Sequence, residues 1–342
     1  VYEDNNLYEL DFETELDTAV LGDGCYKVFW DGERIRVTSP DVQGIFVWWR
    51  GDDLRDVWRV ASRYRLKKEE ASKLYGVSED VEVVEIWTRD VFELWVGRTL
   101  YERLENPYGF IPFIIFPNLR DPKSFWGVSD LEGIKGVSRE LSRAFSQLSR
   151  ILELSGNPIA VLENVDEAYG IRVEPGAVWT LPEDARAYLL DLLQGGGVRL
   201  HIDYIELLYR ALHDLSEAPR VAFGENPRSL SGVALEMELH PLLQKVRRKR
   251  LIRTGVYRRR NEMILRIWER VKGEELGRLK QRIIWGPILP QDRGRIVRDE
   301  KILVDAGIHS LRRAMEEVGV DDPEREFERW LWERKKIREV IR

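Results

Sequence analysis

Short runs of apolar residues, several of them alternating with polar ones, dominate the first hundred residues of the chain. They fall at 26–30, 34–38, 44–50, 81–88 and 92–96, and each is rich in Val, Ile, Phe, Trp or Tyr. Such runs predict strands, and the Asp31-Gly32 pair between two of them predicts a hairpin. Residues 53–75 read instead as a helix, with Lys67, Lys68, Glu69 and Glu70 exposed and Gly76 closing it. From Asn106 to Asn118 the pattern is a turn, a short buried strand between prolines and another turn. A helix is expected from Leu131 to Leu154, ended by Gly156-Asn157-Pro158. Strands are expected at 159–162 and 176–181, and two helical pieces over 183–217 around a hinge at Gly195-Gly196-Gly197.

The longest periodic stretch lies between Ser229 and Asp292. Ser231 can cap a short turn of helix, and Pro241 should kink or reset it. From Leu242 to Val271 there is no proline, and apolar residues at 243, 246, 252, 256, 263, 267 and 271 share one helical face. Thirty such residues span roughly 45 Å, the dimension of a strut. The other face is expected to carry Lys245, Arg247, Arg248, Lys249, Arg250, Arg253, Arg258, Arg259 and Arg260. A face of this kind either meets phosphates along a nucleic-acid path or is solvated or paired with acids of another chain. After the strut comes a non-helical insert over 273–291. A helix is expected over 292–306 with a stop at Gly307, then one capped by Ser310 and ending at Gly319. A last charged helix starts at Asp322-Pro323-Glu324.

Composition narrows the possibilities. The chain has 342 residues and a net charge of −6, which argues against tight gripping of DNA but leaves room for a local basic surface. Its eight acids over residues 1–26, with no base, predict a solvated arm or a peripheral amphipathic helix. Cys25 is the only cysteine, so no intrachain disulfide exists. The apolar runs are far too short to span a bilayer, and no signal peptide is visible, although the start at Val1 leaves room for an upstream segment. Few Met residues and abundant Glu and Arg lean towards a thermophilic source. No Walker loop and no Gly-x-Ser-x-Gly elbow occurs, and Gly22-Asp23-Gly24 reads as a turn rather than a dinucleotide fingerprint. His201, His213, His240 and His309 are scattered without metal-ligand spacing. The expectation is a protein that is not an enzyme, with no catalytic residues, no metal and no cofactor.

Three passages, in this order, carry a resemblance. The first is Gly109-Phe-Ile-Pro-Phe-Ile-Ile-Phe-Pro-Asn118, through Gly127-Val-Ser-Asp130 to Asn157-Pro158. The second is Gly224-Glu-Asn-Pro227 with Ser231-Gly-Val-Ala-Leu235. The third is Ile284-Trp-Gly-Pro-Ile-Leu-Pro-Gln-Asp292, then Val304-Asp-Ala-Gly307, Ser310 and Val320-Asp-Asp with Glu324 and Glu328. In these passages, which span about two thirds of the chain, the sequence resembles the portal, or head-to-tail connector, proteins of tailed double-stranded DNA bacteriophages.

The resemblance implies an α+β, ring-forming protomer, commonly in about twelve copies, around an axial DNA channel used in packaging and ejection. It implies a mixed wing over 1–240, a first stem helix over 242–271 and a clip over 273–291, short for the family. A second stem helix would cover 292–306, a tunnel loop 304–310, a wing helix 311–319 and the start of a crown 320–342, which looks cut short. The DNA-facing loop would present Val304, Asp305, Ala306, Gly307, Ile308 and His309, with Val304 and Ile308 as the constriction. His309 would add charge only below neutral pH. Arg293, Arg295, Arg298 and Lys301 would face DNA or the neighbouring subunit. Ile283, Ile284, Trp285, Ile288 and Leu289 would form a clip surface for subunit contact or motor docking, with 283–285 as a strand whose edge a partner pairs. Arg247, Arg248, Arg250, Arg253, Arg258 and Arg259 would meet acids of the next subunit, such as Glu262, Glu269 or Asp299. The implied partners are further copies of the chain, double-stranded DNA without sequence preference, the terminase large subunit (the motor ATPase), a head-completion or tail adaptor protein, and capsid and scaffolding proteins, with no membrane. The implied location is the portal vertex of the virion, assembled in the host cytoplasm. The rival reading is a DNA-binding or DNA-processing subunit, monomeric or dimeric, that grips nucleic acid with its basic helix. For Trp48, Trp49, Trp285 and Trp330, core or interface burial is the plainer alternative to base stacking.

Overall fold

A computed structural model describes residues 1–156, 160–164, 181–189, 197–224, 232–277, 280–289 and 293–340. They form an α+β fold in two compact units, Val1–Ile283 and Ile284–Arg342. The expected strand at 176–181, except for Leu181 at its end, the first two hinge glycines, Ser231 and the passage 225–227 lie outside the described residues, as do Gln291 and Asp292.

The first unit opens with helix α1 (Leu7–Leu21), which resolves the acidic arm as a helix. It buries Leu7, Thr14 and Thr18, steps of seven and four that mark one face. Both threonine hydroxyls donate to carbonyls one turn back, Thr14 to Leu10 at 2.6 Å and Thr18 to Thr14 at 2.5 Å, so neither is stranded in the core. Gly22, at φ +96°, turns the chain into strand β1 (Asp23–Trp30). A Cβ at Gly24 would come within 2.1 Å of the Thr18 hydroxyl and 2.6 Å of the Phe116 ring. Only glycine lets helix and strand lie this close. Gly22-Asp23-Gly24 is thus a turn followed by a close-packed strand.

Strand β1 pairs through the Asp31 turn with β2 (Ile35–Thr38). There follow β3 (Ile45–Arg50) and β4 (Asp53–Leu66), helix α2 (Lys68–Tyr75), and β5 (Val81–Thr88), β6 (Val91–Val96) and β7 (Thr99–Glu105). These five strands form one antiparallel sheet in chain order. The 14-residue β4 corrects the helix expected over 53–75, of which only 68–75 is helical. Its β-branched and aromatic residues are satisfied by ladders on both sides, to β3 and β5, and this pairing outweighs the helical reading. Gly76, at φ +70°, ends α2 as expected.

Strand β8 (Phe113–Pro117) returns to pair with β1, giving a second sheet ordered β2-β1-β8. Between the sheets Lys27 forms an ion pair with Glu85, which also accepts from the Trp87 indole at 3.1 Å. A small ribbon of β9 (Leu119–Arg120) and β10 (Gly127–Val128) leads to helix α3 (Lys135–Gly156). Strands β11 (Ala160–Glu163) and β12 (Arg186–Leu189) pair, which replaces the first helical piece expected after 183. Helix α4 (Gly197–Ser216) packs on α3. After the short α5 (Gly232–Glu238) comes α6 (His240–Lys272), with Pro241 in its first turn, where a missing N–H costs nothing.

Helix α6 packs on β1 and β8, and Val256, Met263, Ile264 and Ile267 are buried in the main core. The expected strut is, over this half, a core element. The second unit contains α7 (Arg293–Asp305), α8 (Leu311–Val318) and α9 (Pro323–Val340), each packed on the next. Residues 273–277 and 280–289 form neither helix nor strand, so 283–285 is not the strand expected of the clip. No described strand of the chain supplies a ladder to them, and a strand without a ladder leaves its backbone to water.

Candidate functional site

Two features stand out: a buried charge network on α6, and the turn between α7 and α8. Arg253 is 3% exposed, and all five of its N–H groups are used. Nε and one Nη2 proton hold both Glu15 oxygens at 2.8 Å. Nη1 donates to the carbonyls of Pro117 at 3.0 Å and Asn118 at 2.7 Å, and Nη2 also reaches Asn118 Oδ1 at 3.1 Å. Asn118, itself fully buried, donates to Val128 O and to Asp130 Oδ1, both at 3.0 Å. Asp130 accepts from Lys249 at 2.6 Å and lies 3.3 Å from Lys245. Burial alone would raise the Asp130 pKa. The hydrogen bonds from Lys249 and Asn118 and the two lysine charges outweigh it and hold the group below its ordinary value.

Two turns further along α6, Arg260 is 1% exposed and grips Asp11 with both terminal nitrogens. Its guanidinium lies over Tyr26 and Tyr257, each at 4.9 Å, and the Tyr26 hydroxyl donates to the same carboxylate at 2.7 Å. Arg248 pairs with Glu217.

The expected outward basic face is therefore corrected in part. Lys245, Lys249, Arg253 and Arg260 turn inward, and their acids are Asp11, Glu15 and Asp130 of the same chain rather than those of a neighbour. A signal for this was available, because 253, 256, 260, 263 and 267 step by three and four along one stripe. The two arginines occupy core positions. Arg247, Arg258 and Arg259 are exposed and Arg250 is half-buried.

In the second unit, α7 ends in a tight reversal. Ala306 N donates to Ile302 O, while Ile308 N and His309 N both donate to Leu303 O, with Gly307 at φ +71°. His309 is not turned to solvent. Its Nδ1 lies 2.8 Å from Oε2 of the buried Glu300, which anchors the turn to α7. The Ser310 hydroxyl then caps α8 by accepting from Arg313 N at 3.2 Å. Val304 lines an apolar hollow with Leu311, Ala314, Met315, Val318 and Val320, whereas Ile308 is 69% exposed. The geometry separates the two residues expected to act together. Asp305, Ala306 and Gly307 are exposed.

On α7, Arg295, Arg298 and Lys301 are exposed, and Arg295 lies 3.7 Å from Asp299. The Arg293 side chain lies outside the described residues. Of the clip residues, Ile284 is 80% exposed, and Ile283, Trp285, Ile288 and Leu289 are half-buried. Among the described residues no group of His, Cys, Asp and Glu is placed to hold a metal ion, and no helix is long and apolar enough to cross a membrane.

A family model described as "Phage portal protein, SPP1 Gp6-like" matches residues 1–339. The chain belongs to this phage portal protein family. Among curated proteins no match was found. A portal protein is a structural component rather than a member of an enzyme family, and membership implies an oligomeric ring, phage-head partners and a place at the capsid vertex of the virion. The buried network and the α7–α8 turn are thus features of a ring subunit.

Proposed function

We propose that copies of this chain form the channel through which double-stranded DNA enters the capsid during packaging and leaves it on ejection. The family match along almost the whole chain carries the reading. Residues 1–240 serve as the wing, 242–271 and 292–306 as the stem helices, 273–291 as the clip and 320–342 as the start of the crown. The turn over 304–310 faces DNA. It contains no Lys or Arg, which keeps phosphate contact weak enough for DNA to slide. Ile308 is the residue that projects there, and Arg295, Arg298 and Lys301 lie near DNA or the neighbouring subunit. The clip residues Ile284, Trp285 and Leu289 meet the neighbouring subunit and receive the terminase motor, then the head-completion or tail adaptor. Capsid and scaffolding proteins surround the wing during assembly in the host cytoplasm.

The inward turn of four bases weakens the rival reading, in which α6 grips nucleic acid. Solution mass and negative-stain images of the same fraction test the proposal. About a dozen copies with a central hole are expected. A monomer at every concentration and salt that binds DNA tightly at low salt would overturn it. Given rings, Ile308→Ala should alter packaging or retention of DNA while leaving ring mass unchanged.

A further inference from the structure

The outer face of α1 is uncovered. Tyr8, Phe12, Leu16 and Val20 stand at steps of four and are 83%, 72%, 59% and 45% exposed. Beside them runs a second exposed ridge of Glu9, Glu13 and Asp17, none in an ion pair with a described residue. The inner acids of the same helix, Asp11 and Glu15, are already committed to Arg260 and Arg253. α1 is therefore a plate fixed on one side and apolar and acidic on the other.

The complementary surface is on the outer side of α6. Arg247, Leu251 and Arg258 face outward there, Leu251 at 78% exposure and neither arginine in an ion pair with a described residue. Gly255 leaves a hollow between Leu251 and Arg258, since a Cβ built there meets nothing within 4 Å. Glu262 bounds the basic stretch at its far end. Arg247 to Arg258 covers eleven residue steps, about 17 Å, and the acidic ridge Glu9 to Asp17 eight, about 12 Å, a difference that two long arginine side chains span.

We propose that, in the ring, the outer face of α1 of one subunit packs on the outer face of α6 of the next. The proposal rests on the ring-forming role argued above. Leu251 meets Phe12 and Leu16, while Arg247 and Arg258 meet the acidic ridge. The guanidinium groups lie over the aromatic rings, a contact this chain already makes where that of Arg253 lies 5.4 Å from the Phe116 centroid. The two patches differ, so each subunit uses one towards each neighbour. Such a head-to-tail contact closes into a ring when its rotation allows. A second copy is the favoured occupant because the same chain carries a surface complementary in charge, with an exposed apolar residue between its two arginines.

Charge reversal in the full chain tests this. The wild type, Glu13→Lys/Asp17→Lys, Arg247→Glu/Arg258→Glu and the four-fold combination are compared by solution mass at one concentration and salt. Each double reversal should lose at least ten-fold of its rings, and the combination should recover most of them. None of the four residues has an intrachain ion pair with a described residue, so circular dichroism and melting should match the wild type. Should either reversal unfold, Leu16→Cys/Leu251→Cys decides the matter. Cys25 is buried, so oxidation should give a ladder of crosslinked multimers on a denaturing gel. Rings that survive both reversals, or crosslinking that yields only monomers from intact rings, would overturn the interface. Loss of DNA retention with rings intact in Arg247→Glu/Arg258→Glu would also overturn it, by assigning the face to DNA. A wild type that never forms rings would instead sink the channel reading.

Discussion

The two units of this portal protein hold their charges in opposite ways. In Val1–Ile283, arginines at 253 and 260 sit in the core, each paired with an acid of α1, and the network ties α1, β8 and α6 together. In Ile284–Arg342, the pairs Arg295–Asp299, Arg313–Glu317 and Arg329–Glu333 are exposed i,i+4 contacts on single helices. Exposed pairs of this kind contribute about 0.3–0.5 kcal/mol each, whereas stripping one partner from a buried pair costs about 3–5 kcal/mol. The first unit is built to keep one geometry. The second relies on caps, on the Glu300–His309 contact that anchors its turn and on the apolar contact of α7 with α8.

The sharpest way to break this contrast is Arg253→Ala. It leaves the Glu15 carboxylate and the carbonyls of Pro117 and Asn118 without their donor, and should destabilise the chain by about 3–5 kcal/mol in urea unfolding. Arg253→Met with Glu15→Gln removes both charges, and should cost less than half as much. Equal costs would mean that packing, not charge, holds α1 down.

A titration sharpens it next. Asp23 is buried, and burial pushes its pKa up to about 6, only partly opposed by the hydrogen bond from Gly127 N at 2.9 Å. A carboxyl raised in the folded state is a cost above that pKa and none below its ordinary value of 3.8. Asp23→Asn keeps an oxygen for Gly127 and should stabilise the chain by about 1 kcal/mol at pH 7, after allowance for partial solvation. The gain should shrink as pH falls through 6 and vanish near 4. A constant gain would point to packing instead. Asp130, held low, contributes with the opposite sign and loses its stabilisation as pH falls.

The smallest effect concerns the second unit. Ser310→Ala removes the α8 cap and should cost about 1 kcal/mol. Hydrogen exchange should speed in α8 while the amides of β1 and β8 are unaffected.

Much of this architecture could be read from residue order. The strand at Val81–Thr88, the turn at Asp31, the caps at Gly76, Ser310 and Gly319 and the length of α6 follow from local rules, because each depends on neighbours within a few positions. β4 is ambiguous in sequence because Val57, Val60 and Ala61 also fit a helical spacing, and only its two partner strands decide the matter. The inward arginines are hidden in the sequence for a related reason. A charged residue on an apolar stripe is assigned to solvent until its acid is known, and Asp11 and Glu15 lie more than 230 positions away. A helix stop at Gly307 follows from the sequence, but which of Val304 and Ile308 projects depends on α8, to which Val304 turns.

That separation also has a consequence in time. Glu15 and Arg253 are 238 positions apart, so the first helix leaves the ribosome long before the residues that hold it exist. At about 5–20 residues per second the wait is roughly 10–50 s. Until then the acids of α1 lack their arginines. A subunit truncated before α6 lacks both arginines, and its α1 is expected to exchange amide hydrogens faster than in the full chain.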